Sequence, residues 1–359
     1  MPNWTSSFDR LRTALLCGEP DMVPLAELKI DPIVKCQFMG WDAWPDDPRE
    51  ALIAEVEFAQ TAGYDYIRAP AHVDYPVTGE SKSHAYSATG EGEQKRQWQR
   101  QAGRPLIADM ADCEAFPWPD PADAVLDELE LAAELVPEGM GVITGVKGGG
   151  IFERAWFLMG FDGFMMATVE QPDLVAEVMR RAGEVWYETV KRCLEMPRVD
   201  GVWFCDDLAY TEGFMVNPEI YREHLFPWVE RIAHAGRRHD PPVPLVYHSD
   251  GRLWEILDDL IACGVNALHP MEPKAWDIVD VKKRVAGKLC LIGNIDLGYT
   301  LTRGTPDEVD EEVRLRIDKL APGGGYCVGS SNTVTEYVPV DNFRAMVEAT
   351  RRYGGGGRT

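Results

Sequence analysis

The sequence predicts a (β/α)8 barrel of the TIM type, and two patterns support this fold class. Short apolar runs alternate with amphipathic helical stretches eight times in 359 residues, without a linker that would divide the chain. In addition, residues 243–250 (VPLVYHSD) and 268–273 (LHPMEP) both pass from apolar residues into histidine and acidic residues. Such a run is typical of a buried parallel strand whose carboxyl end opens onto a site. A doubly wound open sheet is the alternative, but no GxGxxG motif follows the first strand.

Each predicted strand is a run of apolar and β-branched residues that stops at a polar residue, a glycine or a proline. The eight strands cover residues 23–30, 64–68, 141–146, 201–205, 243–247, 265–268, 289–292 and 326–328. In an α/β barrel the carboxyl ends of all strands lie on one rim, where the active site forms. We therefore expect the polar residues that follow these strands to lie close together.

A helix follows each strand in the predicted order. The helices cover residues 48–62, 123–134, 152–159, 172–193, 218–238, 253–263, 277–285 and 306–320, and a last one begins after Pro339. Three have strong end signals: Gly63 ends the first, Asn217 with Pro218 starts the fifth, and Thr305 with Pro306 starts the eighth.

The barrel is predicted to be a single domain, residues 1–354, with an N-terminal extension and one insertion. From about residue 70 to 121 the sequence is polar, rich in glycine and aromatic residues, and carries the charged run EGEQKRQWQRQAGR. We expect this insertion to lie over the barrel mouth and to contain a small hairpin. The tail, residues 355–359, is predicted to be disordered.

Composition excludes several function classes. The formal net charge is -23, which argues against nucleic acid or an anionic membrane surface as the main partner, because phosphate binding needs Lys and Arg. No apolar run is long enough for a transmembrane helix, and the N-terminus lacks the order of a signal peptide, so we expect a cytoplasmic protein. The eight cysteines show no paired spacing and are predicted to be mostly free thiols.

His248 and Asp250 are the strongest candidates for chemistry. They stand two residues apart at a strand end, so both side chains can point to the same side. The pair suits a metal ligand with a carboxylate neighbour, or a histidine that an acid holds in one tautomer. The alternative is a loop histidine followed by an aspartate that caps the next helix.

Other polar residues at predicted strand ends have two interpretations each. Asp206 and Asp207 suit a general acid or base, or one of them caps a helix. Glu27 lies inside an apolar strand, where an unpaired carboxylate is costly, so it is a candidate metal ligand or base. The remaining candidates, predicted to bind substrate, are Glu272, Asn294, Ser331 and Asn332.

At this point the residues resemble a known family. PVPLVYHSDG, GVNALHPMEP, GKLCLIGNID and APGGGYCVGSSNTVTEYVPVDNF are similar to the second half of uroporphyrinogen decarboxylase-like proteins, and the resemblance extends over residues 140–354. The resemblance implies a (β/α)8 barrel. It also implies one of two activities, cofactor-free decarboxylation of porphyrinogens or zinc-dependent methyl transfer with a corrinoid protein. The RQAGR element of the decarboxylases occurs here at residues 100–104, far from the first strand, so its role is not carried over.

The methyltransferase branch of this family binds zinc through a His-x-Cys pair after strand five and a cysteine after strand eight. Here His248 keeps the histidine, Asp250 stands at the first cysteine position, and Asn332 or a neighbouring serine stands at the second. The resemblance therefore implies a site without thiolates, in which His248 and Asp250, with a further carboxylate such as Glu27 or Glu272, bind a metal or assist a leaving group.

The leading hypothesis from the sequence is a corrinoid-dependent methyltransferase that takes a methyl group from a small ether or amine. Its cobalamin would be carried by a partner corrinoid protein, zinc would be the metal if one binds, and the family tends to dimerise. Trp203 and Tyr247 are predicted to line the substrate cavity. A decarboxylase of a porphyrinogen-like or other carboxylated substrate is the second hypothesis, and a non-catalytic small-molecule binding barrel is the third.

Overall fold

The computed structural model describes residues 5–76 and 105–355, together with the backbone of two strands between them. In chain order the strands are β1 (Tyr66–Arg68), β2 (Lys82–Ala85), β3 (Lys95–Trp98), β4 (Gly141–Thr144), β5 (Gly201–Cys205), β6 (Ala209–Tyr210), β7 (Gly213–Phe214), β8 (Leu245–His248), β9 (Ala267–His269), β10 (Cys290–Ile292) and β11 (Tyr326–Cys327). Seven of them form one curled parallel sheet in the order β1-β4-β5-β8-β9-β10-β11.

The eighth barrel position is filled by the extended segment of residues 23–30, which was predicted to be a continuous strand. The segment pairs in parallel with the β11 side at only two points, Leu25 with Val328 and Ile30 with Val334. Pro24 has no backbone N–H, which explains part of the interruption. The prediction of a regular first strand is therefore wrong, but the predicted (β/α)8 barrel is confirmed.

The helices lie outside this sheet. They are α1 (Phe8–Leu15), α2 (Pro32–Met39), α3 (Pro48–Ala62), α4 (Met110–Ala115), α5 (Asp127–Leu135), α6 (Ile151–Met159), α7 (Phe161–Glu170), α8 (Pro172–Glu195), α9 (Pro218–Ile220), α10 (Phe226–Arg237), α11 (Leu257–Cys263), α12 (Ile278–Val285), α13 (Thr300–Arg303), α14 (Pro306–Leu320) and α15 (Val340–Tyr353). Short 3-10 helices cover Pro121–Asp123 and Trp254–Ile256, and a π-helical turn covers Tyr221–Leu225.

Two of the three helices with strong end signals have the predicted bounds. Asp47 accepts hydrogen bonds from two backbone N–H groups at the start of α3, and Gly63 ends this helix in the left-handed conformation. Thr305 and Glu308 form a capping box at the start of α14.

The long helix predicted for residues 218–238 is instead divided into α9, the π-helical turn and α10. Pro227 explains the division, because it cannot donate the hydrogen bond that a continuous α-helix requires at this position.

The predicted insertion contains a hairpin, since β2 and β3 pair in antiparallel fashion. Residues 77–104 otherwise lie outside the described residues. The prediction that they cover the barrel mouth falls on these residues. The same holds for RQAGR and for tail residues 356–359, whereas Gly355 pairs with Met22. All eight cysteines are free thiols, as predicted. No helix in the described part of the chain is long and apolar enough to cross a membrane.

Candidate active site

Three ligand-type side chains meet at the carboxyl ends of β5 and β8. His248 Nε2 lies 3.6 Å from an Asp207 carboxylate oxygen and 3.7 Å from an Asp250 carboxylate oxygen. Within the described residues these three are the group whose donor atoms all lie within 4.8 Å of one another. The predicted pairing of His248 with Asp250 is therefore present in the structure, and Asp207 completes the cluster.

Backbone hydrogen bonds explain why these residues meet. β5 and β8 are adjacent parallel strands, and Cys205 is in register with His248. Just beyond the strands, Asp206 N donates to the His248 carbonyl. Asp250 N then donates to an Asp207 carboxylate oxygen at 2.8 Å, so the two loops are joined directly.

His248 also contacts a second histidine. Its Nδ1 lies 2.7 Å from Nδ1 of His269, which ends the neighbouring strand β9. His248 is 6% exposed and His269 is fully buried. Burial lowers the pKa of His248, Asp207 opposes this effect and Arg68 adds to it. Burial lowers the pKa of His269 well below its ordinary value, with further contributions from His248 and Arg68. Burial therefore favours the neutral form of both imidazoles.

Asp250 and Asn332, which the resemblance relates to two cysteines, bind each other. Asn332 Nδ2 donates to both carboxylate oxygens of Asp250, each at 2.8 Å. Asp250 and Asn332 also line a cavity of about 420 Å³ at the rim, together with Glu272, Lys274 and other polar residues.

Glu272 and Ser331 are at the same rim, as predicted. Glu272 Oε2 accepts from Gly251 N at 2.9 Å, and burial followed by the charge of Asp207 raises the pKa of this carboxyl. Ser331 lines the cavity and accepts a hydrogen bond from Leu297 N.

Asn294 does not line this cavity. It is buried and donates from Nδ2 to the Met271 carbonyl, while its Oδ1 has no hydrogen-bond partner among the residues described. Its predicted substrate contact stays a prediction.

Asp206 has a structural position. Its two carboxylate oxygens accept from the backbone N–H groups of Ile151, Phe152 and Glu153 at 2.8 to 2.9 Å. Asp206 therefore caps α6 from another part of the chain, which was one of its two predicted roles. Because these bonds use both oxygens, the structure favours a cap over the catalytic role that we predicted for Asp206.

Glu27 is separate from the cluster around His248. Its oxygens contact the backbone N–H and the hydroxyl of Ser330, at 2.5 and 2.8 Å. Burial raises the pKa of Glu27 to about 8. Glu27 was predicted to be a metal ligand or a base, but the structure does not bring it together with His248 and Asp250 as a third ligand.

The two aromatic residues predicted to line the cavity are placed elsewhere. Trp203 is 1% exposed and its ring packs edge-on against His269 inside the barrel. Tyr247 is fully buried and packs on Phe204, which in turn contacts Trp186 of α8. Successive strand residues point to opposite faces, so Tyr247 faces the helix layer when His248 faces the barrel interior. The prediction for Tyr247 is wrong for this reason.

The sequence did not single out three further residues near the cluster. Glu153, in the first turn of α6, lies beside Asp206 and Asp207, and burial with these charges raises its pKa well above the ordinary value. Arg68 ends β1 and lies 5.5 Å from the centre of the Trp203 ring. His269 lies in the LHPMEP segment, and the sequence favours neither a core position nor a site position for it. Arg68 and His269 could have been found from the sequence, because each stands at the end of a predicted strand.

The cluster fits a divalent cation by its spacing and its donor atoms. Zinc bonds to nitrogen and oxygen ligands are about 2.1 Å long, which places ligand atoms of a tetrahedral ion about 3.4 Å apart. The 3.6 and 3.7 Å separations at His248 are close to this value. One imidazole with two carboxylates is a harder donor set than a thiolate site.

Comparisons with known proteins agree with this architecture. A family model described as uroporphyrinogen decarboxylase (URO-D) matches residues 100–353. The methylcobamide:CoM methyltransferase MtaA of Methanosarcina barkeri is 25% identical, over 96% of this chain and 98% of its own length. A uroporphyrinogen decarboxylase of Legionella pneumophila (strain Corby) is 27% identical, over 39% of this chain and 38% of its own length.

A solved structure has the same fold. A methyltransferase from Methanosarcina mazei superposes with a TM-score of 0.68 at 18% sequence identity, and the match covers 96% of this chain and 98% of that chain. This likeness supports the barrel and its eight βα units.

Proposed function

Because the chain belongs to the uroporphyrinogen decarboxylase family, we propose that it is a methyltransferase that moves a methyl group from a small methylated ether or amine to a corrinoid protein. The observation that carries the proposal is the cluster of Asp207, His248 and Asp250 at the rim of the barrel, beside a cavity of about 420 Å³. The rim formed by the strand ends is where barrels of this type build their chemistry.

The relatives support methyl transfer over decarboxylation. The Methanosarcina barkeri methyltransferase matches 96% of the chain, whereas the Legionella pneumophila decarboxylase matches 39%. The first relative is a methylcobamide:CoM methyltransferase, which supports the proposed corrinoid partner. A cytoplasmic location, a single domain and a homodimer stay predictions.

The missing thiolates suggest a substrate other than a thiol. Asp250 and Asn332 bind each other where the family's zinc-binding methyltransferases carry cysteines. An ether or amine needs help at its leaving atom instead, because an alkoxide or amide anion is a poor leaving group at neutral pH.

The residues can assist the leaving atom in two ways. A neutral His248 stabilises developing negative charge as a hydrogen-bond donor, because full proton transfer would leave an imidazolate. A whole proton is better supplied by a carboxylic acid. Glu272 is suited to this, since it lines the cavity and its pKa is raised by burial and by Asp207.

A divalent metal is the alternative source of assistance. Asp207, His248 and Asp250 would hold it, and when bound it would supply a Lewis acid to the leaving oxygen or nitrogen. Cobalamin on the partner protein would supply the nucleophilic cobalt that accepts the methyl group. Asp207 and Asp250 then position either the metal or the donor N–H of His248.

A methyl-transfer assay tests this proposal. Purified protein is incubated with chemically reduced cobalamin and with panels of aryl methyl ethers and methylated amines, and methylcobalamin is followed by its absorbance. We expect turnover with a member of one panel, and a loss of roughly a hundredfold or more in kcat/KM in His248→Ala and Asp207→Asn. The exposed His239 provides the control, because His239→Ala should not change turnover.

Metal analysis separates the two forms of the mechanism. A bound divalent ion that is lost in His248→Ala supports the Lewis-acid form, and turnover by metal-free protein supports the hydrogen-bond form. Turnover that is unchanged in His248→Ala would contradict the role that we assign to the cluster. Release of carbon dioxide from a porphyrinogen would favour the decarboxylase instead.

A further inference from the structure

We infer that His269 is a positioning residue, which donates its Nδ1–H to His248 Nδ1 and so keeps the proton of His248 on Nε2. The geometry of the pair is independent of the proposed function, whereas its consequence for catalysis rests on the hydrogen-bond form of that function, because a metal at His248 Nε2 would take the place of this proton. The two Nδ1 atoms are 2.7 Å apart, which is a hydrogen-bond distance. One proton must therefore lie between them, because two lone pairs or two protons would repel at this separation.

Two neutral arrangements of the pair satisfy this contact. In the first, His269 donates from Nδ1, and the proton of His248 is on Nε2, next to Asp207 and Asp250. In the second, His248 donates from Nδ1, and the remaining proton is on Nε2 of His269. The two arrangements differ in which ring carries a proton on its outer nitrogen, Nε2.

The surroundings of the two outer nitrogens favour the first arrangement. His269 Nε2 is buried and has no hydrogen-bond partner in the described part of the chain, so it is unsatisfied in either arrangement, and a buried N–H without a partner is the rarer of the two cases. His248 Nε2 faces Asp207 and Asp250 at 3.6 and 3.7 Å. An N–H at this position is attracted by the carboxylates, whereas a lone pair is repelled.

The consequence is a fixed hydrogen-bond donor at the rim of the barrel. His269 is completely buried, so it cannot contact a substrate and acts only through His248. It holds the His248 ring in one tautomer and one orientation. In that state His248 Nε2–H faces Asp207 and Asp250, and under the proposed function it is the donor offered to a leaving atom beside these carboxylates.

Imidazole tautomers can be measured directly. The chain contains seven histidines, so ¹⁵N-histidine labelling and long-range ¹H–¹⁵N correlation can resolve His248 after comparison with His248→Ala. In protein freed of metal by chelation, we expect the Nε2–H form of His248 in excess by about tenfold or more. A dominant Nδ1–H form of His248 would overturn the inference, whether or not any methyl transfer is found.

Two substitutions of His269 separate positioning from simple packing. His269→Asn places an amide near the former Nδ1 and can still donate, whereas His269→Leu fills the space without a donor. We expect both His248 tautomers to be populated in His269→Leu and the Nε2–H form to return in His269→Asn. Equal spectra of the two variants would show that His269 only fills the core.

Kinetics give the second readout once a substrate is known. We expect kcat to fall by roughly tenfold in His269→Leu with little change in KM, and to recover in His269→Asn. If the wild-type protein transfers no methyl group, the proposed function fails while the tautomer result still stands. If transfer occurs and the two variants are equally active, the positioning role fails while the proposed function stands.

Discussion

Glu27 shows how one buried carboxyl couples stability to pH. It is 4% exposed, and both of its oxygens contact Ser330. The Ser330 backbone N–H and hydroxyl both donate to Glu27 and so favour its ionised form, whereas burial favours its protonated form and has the larger effect. Burial raises its pKa to about 8, so folding favours the protonated form.

Replacing Glu27 with glutamine should remove this dependence on pH. Because the folded pKa exceeds the unfolded value, the stabilisation is complete below about pH 4.5 and is lost as the pH rises through about 8, by about 5 kcal/mol in total. Glu27→Gln keeps an acceptor and a donor but cannot ionise. Urea unfolding between about pH 5 and pH 9 should therefore show that the variant gains stability relative to wild type as the pH rises.

The exposed Glu138 is the matched control for this measurement. Glu138→Gln should follow the pH profile of the wild type. Parallel pH profiles for wild type and Glu27→Gln would mean that Glu27 ionises normally in the folded protein.

Site residues could be predicted from the sequence where they follow a predicted strand. His248, Asp207 and Asp250 follow strands and do meet, because parallel strands place their carboxyl ends on one rim. The contact between His248 and His269 was not predictable, since it depends on the register between β8 and β9. The prediction for Tyr247 was wrong because adjacent strand residues point to opposite faces of the sheet. Tyr247 therefore cannot face the cavity when His248 faces the barrel interior.

At the scale of elements, helix α6 depends on an aspartate outside its own sequence. Its N-cap residue is Gly150, which has no side chain to satisfy the first N–H groups. Asp206 supplies the acceptors, and a Cβ built at Gly150 would lie 2.3 Å from the Asp206 side chain. The glycine therefore makes room for the cap, and α6 begins beside the active site.

Removing this cap should cost more than removing an exposed one. Asp206→Ala leaves three backbone N–H groups without an acceptor in a buried place, so we expect the free energy of unfolding to fall by about 3 kcal/mol. Thr305→Ala removes the cap of α14 at the surface and should cost about 1 kcal/mol. Denaturant unfolding of both variants checks the difference, and equal losses would show that burial adds nothing to the cap.

Elements were predictable where local signals dominate. The bounds of α3 and α14 follow from proline, capping residues and a terminal glycine, which all act within a few residues. The cap of α6 comes from about fifty residues away, and no local pattern contains it.

The whole barrel has one seam where side-chain contacts replace the strand ladder. Between the segment of residues 23–30 and β1, the Tyr66 hydroxyl accepts from Glu27 N at 2.8 Å and donates to the Glu27 carbonyl at 2.6 Å. Arg68 adds a bond to the Leu28 carbonyl. The eight-unit alternation predicted a closed barrel, but it could not reveal that a tyrosine would complete the closure, because the sequence pattern contains no information on which strand pair remains open.

Tyr66→Phe should therefore loosen the barrel at this seam. The change removes one oxygen but leaves the N–H and the carbonyl of Glu27 buried without a partner, and we expect a loss of about 3 kcal/mol in the free energy of unfolding. Tyr64→Phe is the matched control, because the Tyr64 hydroxyl is buried and has no hydrogen-bond partner among the described residues. The control should be neutral or slightly stabilising, since it removes an unsatisfied polar group.

Hydrogen exchange locates the effect. If Tyr66 closes the barrel, amide exchange in Tyr66→Phe should accelerate first in residues 23–30 and β1, with β8 and β9 protected as in the wild type. Glu27 lies on the opened segment and Ser330 on the β11 side, so their contact should weaken as well. Equal stability of the Tyr66→Phe and Tyr64→Phe variants would mean that packing of the apolar interior closes the barrel without this hydroxyl.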